Sequence, residues 1–155
     1  RSHRAARFAT AIAVQRMDPD VAVIPEAALL HDFAELLMWL RAPSLMLEIG
    51  RRQQLDGRLR SSAAQVDILN VSLADLQHAL MVRWHLPSLL TDIMDHKREG
   101  ASVQARNVLV AMRLARHTAL SWDNPAVADD VNDVATLLHM SLDPTRALLL
   151  ELDSQ

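Results

Sequence analysis

His31 and Asp32 are adjacent within Ala27-Ala28-Leu29-Leu30-His31-Asp32-Phe33-Ala34-Glu35-Leu36-Leu37-Met38-Trp39, an otherwise apolar run. An imidazole and a carboxylate both ligate divalent metals, and a helix that turns the pair inward would present both to one ion. Two ligands do not make a hydrolytic centre. Such a centre needs further oxygen or imidazole donors that converge, and a water for the metal to activate. The other histidines are His3, His78, His85, His96, His117 and His139. His78 and His85 stand seven apart, on one face of a continuous helix, and surface or core roles suffice for them. His117 and His139 belong to late helices, far in sequence from the pair, and receive no function.

Composition removes several other chemistries. The chain has no cysteine, so disulfides, thiolate catalysis and Cys-bound zinc are excluded. No Ser-His-Asp spacing and no nucleotide fingerprint occurs, and three glycines in 155 residues leave little for a phosphate-cradling loop. Net charge is −3 with a pI near 6.1, which gives no general attraction to nucleic acid. Five arginines between Arg41 and Arg60 face only Glu48 and Asp56, and a solvated surface is the expected role of that run rather than a phosphate patch. No apolar stretch approaches the roughly 20 residues of a membrane span.

The elements that must position the pair read as helices throughout. Ala5, Phe8, Ala9, Ile12 and Ala13 mark one face of a helix over Ser2 to Met17, stopped by Asp18-Pro19-Asp20. Pro25 opens a second helix, expected to run through His31-Asp32 to about Leu40 and, being apolar almost all round, to be the most buried. Further helices are expected over Pro43 to Leu55, from a Ser61 or Ser62 cap to Leu69, Leu73 to His85, Ser88 to Lys97, Val103 to Leu120, Val127 to Met140, and Pro144 to Leu152. Asn70 suits a left-handed C-terminal residue, Ser72 with Asp75 resembles a capping box, and Asp143 precedes Pro144 as an N-cap. Aromatics make up 3% of the chain, so Leu, Ala, Val and Met must fill the interior. Met38, Met46, Met81, Met94 and Met112 are expected on inner faces, and Trp39, Trp84 and Trp122 as core or interface anchors. No alternating strand pattern is present. The fold class is all-α, a multi-helix bundle of about seven to nine helices in one domain over residues 1–155.

Leu29-Leu30-His31-Asp32-Phe33-Ala34-Glu35-Leu36-Leu37 is followed about fifty residues later by Arg83-Trp84-His85-Leu86-Pro87, then by Ile93-Met94-Asp95-His96-Lys97 and Val108 to Ala115. This order resembles the HD superfamily of helical metal-dependent phosphohydrolases, and most closely its HDOD branch. The resemblance implies an HD-domain-like bundle with more helices on the N-terminal side, hence a piece of a longer chain. Active members of the superfamily hold metal with a His on the first helix, the HD pair, further His residues and a late Asp. Carried over by position, the first falls on His3 or Arg1 and the pair on His31 and Asp32. The next His falls on Leu73, the paired His on His96-Lys97, and the late Asp near Ala115-Arg116. The Gly-Tyr-Pro signature of the cyclic-di-GMP-cleaving branch is absent after His96. Leucine and alanine cannot ligate, and a lysine ammonium beside a divalent ion opposes its binding.

The expectation is accordingly a non-catalytic regulatory domain without metal or other cofactor, in which His31 and Asp32 survive as a vestigial pair, with His96 and His3 as the weaker ligand candidates. The resemblance further implies a bacterial, cytoplasmic signal-transduction protein. Its expected partners are other signalling proteins or receiver, GGDEF or EAL modules, with no nucleic acid or membrane, and self-association left open. The alternative is a metal-dependent phosphohydrolase with a reduced site on His31, Asp32, His96 and His3.

Overall fold

The computed structural model describes residues 1–95, 100 and 102–154, and its regular structure among them is helical. The helices are α1 (Ser2–Arg16), α2 (Val23–Leu30), α3 (Phe33–Arg41), α4 (Pro43–Leu55), α5 (Ser61–Leu69), α6 (Leu73–Arg83), α7 (Ser88–Met94), α8 (Val103–His117), α9 (Val127–Leu138) and α10 (Leu142–Asp153). The all-α expectation holds. They form two compact units: Arg1–His31 with Pro87–Gln155, and Asp32–Leu86.

In the first unit α1 is the central helix, packed by α2, α8, α9 and α10. Its inner face is mostly alanine (Ala5, Ala6, Ala9, Ala13), with Phe8 and Ile12 as the bulky members. Small side chains let α2 and α8 approach the α1 backbone closely, and Ala27 and Ala28 answer from α2. α8 buries eight of its fifteen residues, including Asn107, whose Nδ2 donates to the Ala9 carbonyl at 3.0 Å. α1 is joined to α10 by Arg4, whose guanidinium binds Asp153 and lies over the Phe8 ring, 5.6 Å from its centroid. The Trp122 indole donates to the same carboxylate at 2.9 Å and meets Phe8 edge-on.

The second unit is built on Met46, Ile49, Ala64 and Leu73, with Met38, Leu59, Ile68, Leu69 and Leu76 packed around them. Its turns follow local chemistry. Asn70 closes α5 in the left-handed region at φ 59°. Ser72 Oγ accepts from the Asp75 N–H at 3.1 Å and donates to Asp75 Oδ2 at 2.8 Å, so the shorter acid is held by the cap hydroxyl.

Several expected boundaries move. The second expected helix is two, because the α-helical path breaks at Asp32 (φ −109°, ψ 20°), and its second half is the reverse of buried: only Ala34 of α3 is fully enclosed. α5 starts after Arg60, so neither Ser61 nor Ser62 is its cap, and α10 starts after Ser141, which puts Asp143 and Pro144 inside the first turn. α7 ends at Met94 and α8 at His117. The methionines lie on inner faces as expected, whereas Trp39 and Trp84 are exposed and Trp122 is half-buried. Among the described residues no helix is long and apolar enough to cross a membrane.

Candidate functional site

The residues singled out for chemistry lie at two turns. His31 follows α2 in a conformation that is still helical, and Asp32 then diverts the chain into α3. Asp32 provides the N-cap position of α3 but no side-chain capping bond. The first turn of α3 is met from α6 instead, where the buried Gln77 accepts from the Ala34 N–H at 3.4 Å, a long hydrogen bond. Phe33 lies tilted against Trp84 with ring centroids 5.7 Å apart, so the first turn of α3 meets α6 at both Gln77 and Trp84.

Trp84-His85-Leu86-Pro87 is a helix stop. Trp84 is the C-cap of α6, and His85 takes the left-handed conformation at φ 55°. The Leu86 N–H then donates to the Met81 carbonyl at 3.0 Å and the His85 N–H to the Val82 carbonyl at 3.1 Å, the bond pair of a Schellman motif. Pro87 prevents continuation. His85 is therefore off the α6 face that carries His78, and both imidazoles are exposed.

Leu73 is the first residue of α6 and is buried in the core of its unit. Its N–H donates to Gln65 Oε1 at 3.0 Å, so the backbone there is satisfied and the side chain serves packing alone.

A family model of the HDOD domain matches residues 1–99. The chain belongs to the HDOD family. A crystal structure at 1.62 Å of a Shewanella amazonensis SB2B protein, provisionally named a phosphohydrolase, is similar to this HDOD chain with a TM-score of 0.63. The two are 17% identical over 97% of this chain and 58% of that one, so this chain spans less than two thirds of that protein's length and the likeness is one of fold. No curated protein matches it.

The positions that the resemblance assigns to a His and to an Asp hold a core leucine, Leu73, and the buried Ala115 beside the exposed Arg116. None of these can ligate, so that ligand set does not fit a metal here. His3 is exposed on α1, in a groove shared with Arg7, Leu148 and Leu152. His31 and Asp32 are half-buried. His96 and Lys97 lie outside the described residues. Among the described residues no three or more His, Asp or Glu side chains group as metal ligands would.

Two polar features of the HDOD chain escaped the sequence. Gln77 reads as one more polar residue on an amphipathic helix, and only the structure reveals that it is buried against α3. The second is Asp130 on α9, 2% exposed, bound by Arg113 Nε at 3.1 Å and lying 2.6 Å from His117 Nδ1. Arg113 also reaches Asp133. The i,i+4 spacing of Arg113 and His117 against the i,i+3 spacing of Asp130 and Asp133 was the available signal. It gives His117 a structural role, tying α8 to α9. His139 likewise serves as the left-handed C-cap of α9.

Proposed function

We propose that this HDOD chain is a non-catalytic regulatory domain that works through protein contacts in signal transduction. The observation that carries this reading is Leu73. At the position that the resemblance assigns to a ligand, the side chain is an aliphatic member of a packed core, which serves folding and cannot serve an ion. His31 and Asp32 then act where they stand, at the break in the helical path between α2 and α3.

The second reading is a phosphohydrolase with a reduced site on His31, Asp32, His96 and His3; the Shewanella amazonensis protein of similar fold carries that provisional name. Metal analysis of purified protein, run beside phosphatase and phosphodiesterase assays, separates the two. The regulatory reading expects less than stoichiometric iron, manganese or nickel and no turnover. Stoichiometric metal that is lost in His31→Ala, with hydrolysis that follows the metal, would establish the enzyme instead.

A further inference from the structure

We propose that the groove between α8 and α9 binds a linear dicarboxylate of about eight carbons, held at its two ends by Arg106 and Arg113. The groove lies beyond residues 1–99, which the family model matches. It uses none of His31, Asp32, His96 or His3, so the proposal is independent of the function proposed above. Each helix lines the groove with residues at i, i+3 and i+4. From α8 these are Arg106, Leu109 and Val110, with Arg113 following at i+7. From α9 they are Asp133, Thr136 and Leu137. They border a half-open cavity of about 230 Å³, below the range of drug-sized sites and suited to a small molecule. Val110 and Leu137 are buried and, with Leu109, make its apolar middle. The cations stand at its ends: seven residues on one helix face separate the two arginines by about 10.5 Å along the axis.

Arg113 is prepared for a carboxylate. Its Nε donates to the buried Asp130 at 3.1 Å, and Asp130 also lies 2.6 Å from His117 Nδ1, so the guanidinium is anchored from the inside. Its Nη2 donates to Asp133, on the groove wall and 46% exposed. What already sits on the outer end of Arg113 is therefore a carboxylate. An ion pair this exposed is weak, and a ligand carboxylate can replace Asp133 while Asp130 keeps the guanidinium in place. The Arg106 guanidinium is exposed and has no ion pair or hydrogen bond among the described residues. One unpaired cation, one anchored guanidinium and an apolar floor between them are complementary to a molecule with an anion at each end and methylenes in the middle. An extended chain advances about 1.3 Å per bond, so eight carbons place two carboxylates about 9 Å apart, within reach of both guanidiniums. A monocarboxylate leaves one arginine unused, and a short diacid does not span the pair.

The test is an NMR titration of the full ¹⁵N-labelled chain at low ionic strength with suberate, octanoate and succinate. The expected result is suberate-induced shifts confined to residues 106–113 and 130–137. The Kd should be about 1 mM or tighter, in keeping with a ligand of about twelve non-hydrogen atoms. Octanoate and succinate bind at least about fivefold more weakly. Arg106→Met lowers suberate to the affinity of octanoate. Asp133→Asn removes the competing carboxylate and tightens suberate at least about twofold. Arg58→Met, at an exposed arginine of the other unit, leaves binding unchanged. Arg106→Gln takes the place of Arg106→Met should that variant melt below the parent. Any of four results overturns the assignment: no saturable shift up to about 20 mM suberate; equal affinity for octanoate or succinate, which would make the contact a general apolar or anionic one; suberate binding untouched by loss of Arg106; or weaker suberate binding in Asp133→Asn.

Discussion

Leu73 and His85 show how one residue can settle a local question. Leu73 stands where the resemblance assigns an imidazole, and the space around it is filled by Met46, Ile49 and Ala64. Restoring the ligand as Leu73→His puts a polar ring into that core. It is expected to destabilise the protein by about 2–4 kcal/mol in urea unfolding, without raising metal content. His85 carries positive φ on a non-glycine residue, a conformation costing roughly 1–2 kcal/mol that glycine avoids, against a somewhat larger entropy loss for glycine on folding. His85→Gly should therefore raise stability by about 0.5–1 kcal/mol, measured by the urea midpoint, and a decrease would mean that the imidazole makes a contribution beyond the turn. Both residues could be singled out from the sequence. Their roles could not, because a position within a motif does not reveal which side chains surround it.

At the scale of helices, the break at Asp32 was hidden because apolar periodicity continues through it from Leu29 to Met38, and periodicity carries no record of the φ and ψ of a single residue. The inverted α3 was hidden for the same reason: an apolar helix reads as buried whether its larger side chains face the core or water. Caps were more legible. Asn70, Ser72 and the joint at Pro87 act through bonds to near neighbours, whereas the capping of α3 by Gln77 spans 43 residues and left no local trace. Gln77→Leu leaves the buried Ala34 N–H without its acceptor and should cost about 1 kcal/mol by chemical denaturation, with slowed exchange protection lost first at Ala34. The closure of α1 on α10 has a pH signature. The Arg4 guanidinium holds the Asp153 carboxyl below its ordinary range, burial works against this, and the Trp122 indole assists. A depressed folded-state pKa stabilises above the unfolded value, near 3.9, and that contribution is lost as pH falls through the lower folded value. Asp153→Asn should remove roughly 1–3 kcal/mol at pH 7 and flatten the loss of stability in the acid limb below about pH 4, as followed by thermal melts across pH.

For the whole molecule, composition and helical periodicity carried the fold class, since a chain rich in Leu, Ala, Val and Met with few aromatics and no alternating segments has helix packing as its outlet. The division into two units was not legible, because no linker, charge run or change of composition accompanies it. The chain leaves one unit between His31 and Asp32 and re-enters it between Leu86 and Pro87. Both crossings fall on the motifs that carry the family resemblance. Whether the HD pair belongs to a regulatory domain or to a hydrolytic centre is decided by metal analysis of the purified full chain and of His31→Ala after equilibration with iron, manganese and nickel. For a regulatory domain the expected result is less than one equivalent in both, with no difference between them. One bound equivalent in the parent that disappears in His31→Ala would contradict it.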